Sequence, residues 1–322
     1  MRAPTAIDLS RVAVPDAIVV PDFEGMHAAF VARFLAFIAA RRGVDPSIAP
    51  FDVESLETDP AIIAGEAFSQ LRVYDRQIVN DAVRAVLAPS AKGADLDNIA
   101  AAAGVLRLVL VPVDPERGVA AVMESDASLL RRYLLAFDKA AAGSADRFVF
   151  EALTAWPALG RPENPGDVSV VGRAVHGRRG DVDIVVSGPG GRDPTPTELG
   201  VVRAAVTASH VAPEAVAVNV LAAKRRLYAV RFEIEVPEGP DKTIVATEAA
   251  RRVRAAADAR RLVGGEVPAG LLHGAAYGPS VIKVRPEAEP LVIAPDAYTV
   301  PICTAVTIAV MAGDQLVLEV AA

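Results

Sequence analysis

Apolar residues in the first third of the chain recur at helical rather than strand spacing. Met26, Phe30, Phe34, Phe37 and Ile38 fall on one stripe, and the spacing predicts a helix that Gly43 ends. A Pro-rich bend follows from Asp45 to Phe51. Asp59 then offers a cap and Pro60 a first helical residue. An aspartate oxygen accepts from the free amides of a first turn, where proline has no amide to leave unsatisfied. Behind them Ile63, Ala67, Leu71, Tyr74, Ile78, Ala82 and Val86 recur every three or four residues, the pattern of one buried helix face, until Pro89. A shorter helix is expected after Asp95, with Leu96, Ile99, Ala100 and Ala103 turned inward and Gly104 as its stop.

The segment MESDASLLRRYLLAF continues in the helical register. Ser125 or Asp126 caps it, and Leu129, Leu130, Tyr133, Leu134 and Phe137 are its apolar residues. Another helix is expected from Asp146 to Ala155. The period then drops to about 2: Val168, Val170, Val182, Ile184 and Val186 mark strands, with turns at HGRRG and SGPGG. The stretch PALGRPENPG reads as an exposed loop. TPTELGVVRAAVTA reads as a helix whose Thr195 or Thr197 caps it, with Glu198 three residues after Thr195 in a capping-box arrangement. AVAVNVLAA and LYAVRFEIEV alternate like two paired strands. TIVATEAARRVRAAADARRLV and VPAGLLHGAA are helical, and the tail from Ser280 is mainly strand, with a turn at Gly313, Asp314 and Gln315. This order predicts an α+β fold: an N-terminal helical region, then small mixed α/β layered domains and a strand-rich C-terminus. The expected division is 1–118, mainly helical; 119–236, a central α+β domain; and 237–322, a C-terminal α+β domain. No clear internal repeat accompanies it.

Composition changes this picture little. The 322 residues suit two or three domains, and hydrophobic residues make up 52% while aromatics make up 5%. Much of the apolar content is alanine and valine, which favours thin, closely packed layers. The formal charge of -7, from 33 basic and 40 acidic residues, argues against non-specific nucleic-acid binding, which needs a clustered positive field. A single cysteine, Cys303, excludes an internal disulfide. Asp8, Arg11 and Asp16 interrupt the start, so no secretory signal is expected. No unbroken apolar run approaches the roughly 20 residues of a membrane span, and no membrane insertion is expected.

Candidate chemistry is sparse. His27, His176, His210 and His273 form no HExxH or similar cluster. Cys303 lies in the apolar stretch YTVPICTAVTIAV and reads as an inert buried thiol rather than a nucleophile. Ser187 to Gly191 meets neither the dinucleotide fingerprint nor the P-loop pattern, and its glycines fit a tight turn. The acidic groups Glu54 and Glu57, Asp95 and Asp97, and Asp181 and Asp183 could do acid–base work only around a substrate-sized cleft. Asp95 as a cap and Asp97 in a first turn have the simpler role. The basic groups Arg178 and Arg179, Lys224 to Arg226, Arg251, Arg252 and Arg254, and Arg260 and Arg261 read as solvated faces or an inter-subunit salt-bridge surface. No catalytic, cofactor-binding or metal-binding residue is assigned, and no cofactor is expected.

The order of segments resembles a known family more closely than any single motif does. PFDVESLETDPAIIAGEAFSQLRVYDRQIVNDAVRAVL, SAKGADLDNIAAAAGVLR and ESDASLLRRYLLAF are similar to the early helical region and following helix of the baseplate J-like proteins of contractile phage tails. GDVSVVGRAVHGRRGDVDIVVSG, then TPTELGVVRAAVTA, then GGEVPAGLLHGAAYGPSVIKVRP follow the same order. The GADLDNIA block is the most specific part, and FVFEALTAWPALG with the insertion ALGRPENPG departs from the family pattern. The resemblance implies a non-enzymatic baseplate wedge protein that helps form a ring around the tail hub and couples its rearrangement to sheath contraction. Its implied partners are other wedge proteins, neighbouring copies of itself, and hub or sheath-proximal tail proteins, without direct nucleic-acid contact. Its implied location is the virion tail baseplate, after assembly in the bacterial host cytoplasm. The competing readings are a host-surface binding module of the tail tip and a soluble hydrolase.

Overall fold

A computed structural model describes residues 13, 15–52, 56–137, 142–286, 293–312 and 315–321. Glu54, Asp8, Arg11, Gly313 and Asp314, named above, lie outside the described residues. The chain divides into two compact units, one reaching Ile99 and the other running from Ala100.

The first unit is helical. Helix α1 (Phe23–Val44) starts at Asp22, whose side chain accepts from the Gly25 amide, and runs one residue past Gly43. Helix α2 (Pro60–Ala85) starts as expected at Asp59, which accepts from Ala61 N at 2.8 Å, with Pro60 at the first position. It ends four residues before Pro89 rather than at it. Helix α3 (Gly93–Ala102) begins two residues before Asp95, which therefore sits inside the first turn and not at the cap. Leu96 and Ala100 are buried, and Gly104, with φ 72°, ends the run as expected.

The second unit opens on a ribbon of β1 (Val109–Val111) and β2 (Val122–Met123). Helices α4 (Asp126–Ala136) and α5 (Ala145–Ala155) follow, capped by Ser125 and Ser144. Strands β3 (Asp167–Val171), β4 (Asp181–Ser187) and β5 (Ala217–Ala222) form a sheet in the order β3-β4-β5. The four-residue helix α6 (Arg173–His176) joins the first two strands. Strand β5 lies parallel to β4, which requires a crossover, and α7 (Pro196–Val206) supplies it. Its capping box is complete, with Thr195 and Glu198 each bonded to the other's backbone amide. Phe148, Leu153, Val168, Ile184, Val202 and Val220 fill the core between this sheet and its helices.

A second parallel pair repeats the arrangement. Strand β6 (Lys224–Glu235) and β8 (Thr299–Ala312) are parallel, and α8 (Lys242–Asp258) with α9 (Ala269–Ala276) lies between them in the chain. Short β7 (Lys283–Pro286) and C-terminal β9 (Gln315–Ala321) flank them, giving the order β7-β6-β8-β9. Inward residues of β6 (Val230, Phe232 and Ile234) pack with Ala246, Ala250 and Val253 of α8. The alanines let helix and sheet approach closely. The observed architecture is the α+β order expected: helices first, mixed layers next, strands last.

Two local expectations are corrected. β5 and β6 do not pair with each other; they belong to different sheets. Only Ala223 separates them, and a hairpin needs at least about two turn residues, so the chain runs on from one sheet into the next. The stretch 157–166 is not simply an exposed loop: Pro157–Gly160 forms a 3-10 turn and Leu159 is fully buried in the core. Helix α1 is long and apolar enough to cross a membrane by length and composition alone, which leaves the expectation of no membrane insertion untested. The earlier expectation counted unbroken apolar runs, and Arg33 divides this one, its guanidinium 5.6 Å from the Phe37 ring.

Candidate assembly surface

The stripe on α2 is the largest departure from expectation. Ile63, Ala67, Leu71, Tyr74, Ile78, Ala82 and Val86 are all exposed, Leu71 by 61% and Ile78 by 65%. The residues α2 buries are instead one isoleucine, Ile62, and the small or polar Gly65, Ser69 and Asn80. Each residue there has a local reason to be inside. Gly65 leaves room for the Phe30 ring of α1, two carbons of which would lie 2.3 and 2.5 Å from an added Cβ. Ser69 returns its hydroxyl to the Gly65 carbonyl at 2.6 Å. Asn80 mimics a strand partner: its Oδ1 accepts from Ile18 N and its Nδ2 donates to Ile18 O, both at 3.0 Å. The inner face is thus specified by fit and hydrogen bonds, and the greasy face is left in water. Full burial of one such Leu or Ile is worth about 1.5–3 kcal/mol, which this chain alone forgoes at several positions.

Beside the stripe lies an aromatic groove of about 360 Å³ along α1 and α2, walled by Met26, Phe30, Phe34, Phe37 and Phe68. Phe30 stacks on Phe34 and tilts against Phe68, and Phe34 meets Phe51 edge-on at 5.0 Å. Arg33 and Arg72 border it. Its lining is mostly rings and guanidiniums, and its Ser69 hydroxyl is committed to the Gly65 carbonyl.

Buried charge in the second unit has structural work. Arg132 of α4 donates to Glu124 Oε2 at 2.7 Å, with both side chains buried. The remaining capacity of Glu124 is met by Leu108 N and by Ser128 Oγ. Arg132 also donates to the Leu106 carbonyl and stands over the Phe150 ring. Arg107 donates to the Glu124 carbonyl and to Asp126. Glu124 and Arg132 of ESDASLLRRYLLAF, with Arg107, therefore pin the β1–β2 ribbon to α4, while Arg131 turns to Asp167 of β3. Sequence reasoning recognised the pattern and missed this role, for which the spacing of Glu124 and Arg132 on either side of a helix cap was the available signal.

Asp181 and Asp183 share a face of β4 as expected, but Arg178 neutralises both, at 2.9 and 2.6 Å. Burial pushes the Asp183 carboxyl up, and hydrogen bonds from Tyr298, Arg178 and Asn219 outweigh it and hold the group below the ordinary carboxylate range. Asp95 and Asp97 stay on α3, and Glu57 lies in the turn before α2. His27 stacks on Phe23, His176 Nδ1 accepts from Arg178 N, and His273 sits between Phe232 and Tyr277. Cys303 is half-buried, and burial pushes its thiol up, the direction expected of an inert group. Among the described residues, no three His, Cys, Asp or Glu side chains are grouped to hold a metal.

The arginines of α8 are also occupied. Arg252 donates to the carbonyls of Ala275 and Ala276, and Arg254 to that of Cys303 at 2.7 Å. These two tie α8 to its neighbours within the chain. Arg251 remains exposed. Gly190 and Gly191, with φ 71° and 77°, make the tight turn expected of SGPGG. Arg192, just after it, forms a two-point ion pair with Glu198 and lies 5.5 Å from the Trp156 ring.

Residues 57–114, covering α2, α3 and β1, match the Baseplate J-like N-terminal domain. Over 293 residues the chain is 26% identical to baseplate protein J of Escherichia phage P2, spanning 87% of this chain and 89% of that protein.

Proposed function

We propose, from the premise that this chain is a baseplate J-like structural protein of a phage tail baseplate, that it is a wedge component helping to close a ring around the tail hub. In this reading it assembles in the host cytoplasm beside other wedge proteins and further copies of itself. Residues 1–118 supply one contact, and the parts 119–236 and 237–322 supply others to hub or sheath-proximal neighbours. The protein couples baseplate rearrangement to sheath contraction. It needs neither nucleic acid nor membrane for this.

The observation that carries the reading is the exposed apolar stripe of α2. A monomeric soluble protein rarely leaves so continuous an apolar strip in water, and such strips mark contact sites. It lies inside the segment that matches the family domain. A ring also demands repeated, geometrically matched surfaces, which several modest layers provide more readily than one deep cleft.

The test is assembly of tails carrying Leu71→Glu and Ile78→Glu. Both side chains are exposed, so the isolated chain should keep its circular dichroism, while electron microscopy should find no completed baseplates. Normal baseplates containing the variant would overturn the proposal. Normal baseplates that no longer attach to cells would favour a host-binding module. Coupling is tested by imaging the ring before and after contraction; unchanged contacts around this chain would rule it out.

A further inference from the structure

Two acidic side chains reach from the three-stranded sheet to the turns that border the four-stranded one. Asp167, at the start of β3, is 1% exposed, and its Oδ2 accepts from the Val263 amide at 2.8 Å. Asp183 of β4 is 2% exposed, and its Oδ2 accepts from the Tyr298 hydroxyl at 2.7 Å. Each is also tied to its own side, Asp167 by Arg131 at 3.6 Å and Asp183 by Arg178 and Asn219. In the β3–β4 register Asp183 faces Val171 and Asp167 faces Ser187. The two carboxylates therefore stand at opposite ends of the pairing, about 13 Å apart along the strand. Between the sheets lies an apolar seam of Val171, Val185, Ala223, Val263, Val300 and Ile302.

The backbone adds a third tie. Ala223 N donates to Val186 O of one sheet, and the next amide, Lys224 N, donates to Tyr298 O beside the other, both at 2.8 Å. Consecutive amides thus belong to different sheets, and no linker separates them. Inter-domain motion is the default where joints are small and polar. This joint is apolar along its length, clasped at both ends by buried carboxylates, and crossed by a chain without slack.

We infer that the two sheets and their helices form one stiff lever, so that any rearrangement of this protein moves the described residues from 126 to 321 as a single body. The inference does not rest on the ring reading and is tested on the isolated full chain. Spin labels at Val201→Cys on α7 and Ile244→Cys on α8, both exposed positions, in a Cys303→Ala background, should give one narrow distance distribution. A broad or double distribution overturns the inference. Hydrogen exchange of the unlabelled protein gives an independent reading: the Ala223 and Val263 amides should be as protected as the cores of both sheets, and faster opening than either core overturns it. The double variant Asp167→Ala, Tyr298→Phe should broaden the distribution and raise Val263 exchange by roughly tenfold or more, as the loss of a hydrogen bond to a charged group implies. A variant that folds and leaves both readings unchanged shows that the carboxylates do not clasp the joint, and overturns it as well.

Discussion

At the scale of single residues, this chain uses charge to hold its own parts together. Glu124 and Arg132 are both buried and 2.7 Å apart. Removing one member of such a pair strands the other, whereas replacing both with apolar groups is often neutral. Arg132→Ala should cost about 3–5 kcal/mol, read as a fall in the urea midpoint, and the double change Glu124→Leu, Arg132→Met should recover most of it. If the double variant is no better than the single, the loss came from elsewhere in the hydrogen-bond network. Glu198 behaves differently because it is partly exposed. Arg192 and the Thr195 amide and hydroxyl lower its carboxyl from the ordinary 4.5 to about 2, against the effect of burial. The folded state therefore binds this proton less readily than the unfolded state. Its stabilisation is complete above about 4.5 and is lost as pH falls toward about 2. Glu198→Gln should flatten that part of the acid-side stability curve; an unchanged slope would mean the ion pair is not held in solution. Local chemistry of this kind was legible in the sequence. The caps at Asp59, Ser125 and Thr195 follow from a side-chain oxygen two or three residues before a free amide, and each is where it was expected.

At the scale of elements, the sequence was readable as to kind and less so as to partner. The alternation of β5 and β6 identified strands correctly, but sheet membership is decided by residues far along the chain, and the single-residue junction at Ala223 was the only nearby clue. The stripe on α2 likewise revealed an apolar face without revealing what covers it. Periodicity reports which side of a helix is greasy; the choice of inner side was made by Gly65 and Asn80, whose fit to Phe30 and Ile18 no pattern encodes. Gly65→Ala tests that account. Alanine would gain about 1 kcal/mol of helix propensity, but its Cβ would press on a Phe30 ring that Phe34 and Phe68 hold in place. Overpacking of this kind costs about 1–3 kcal/mol, so the helix pair should lose stability on balance, measured by thermal unfolding. A rise would show that the ring swings aside freely. The candidate site was legible only as the absence of a catalytic set and the presence of a family resemblance. Its location required knowing which face stays in water.

At the scale of the whole molecule, the chain combines a helical unit with an unpartnered apolar face and a two-sheet unit whose joint is locked. In the baseplate reading the first gives adhesion to neighbours and the second gives a rigid arm on which a displacement is passed without being absorbed. Isolated chain should therefore associate with itself as concentration rises, through a surface that Leu71→Glu and Ile78→Glu remove. Light scattering that stays monomeric across the range, or an association indifferent to those substitutions, would count against the stripe as a contact.

The exposed flank of α2 also bears on how such a protein must be produced. A subunit released before its neighbours exist presents several uncovered branched and aromatic side chains to every other molecule nearby, including unfinished chains. Supply therefore has to be matched to demand: surplus copies invite clumping, and a shortage of the covering protein is as harmful as its loss. Co-expression with the correct neighbour, in equal amounts, is the condition under which this chain should be most soluble.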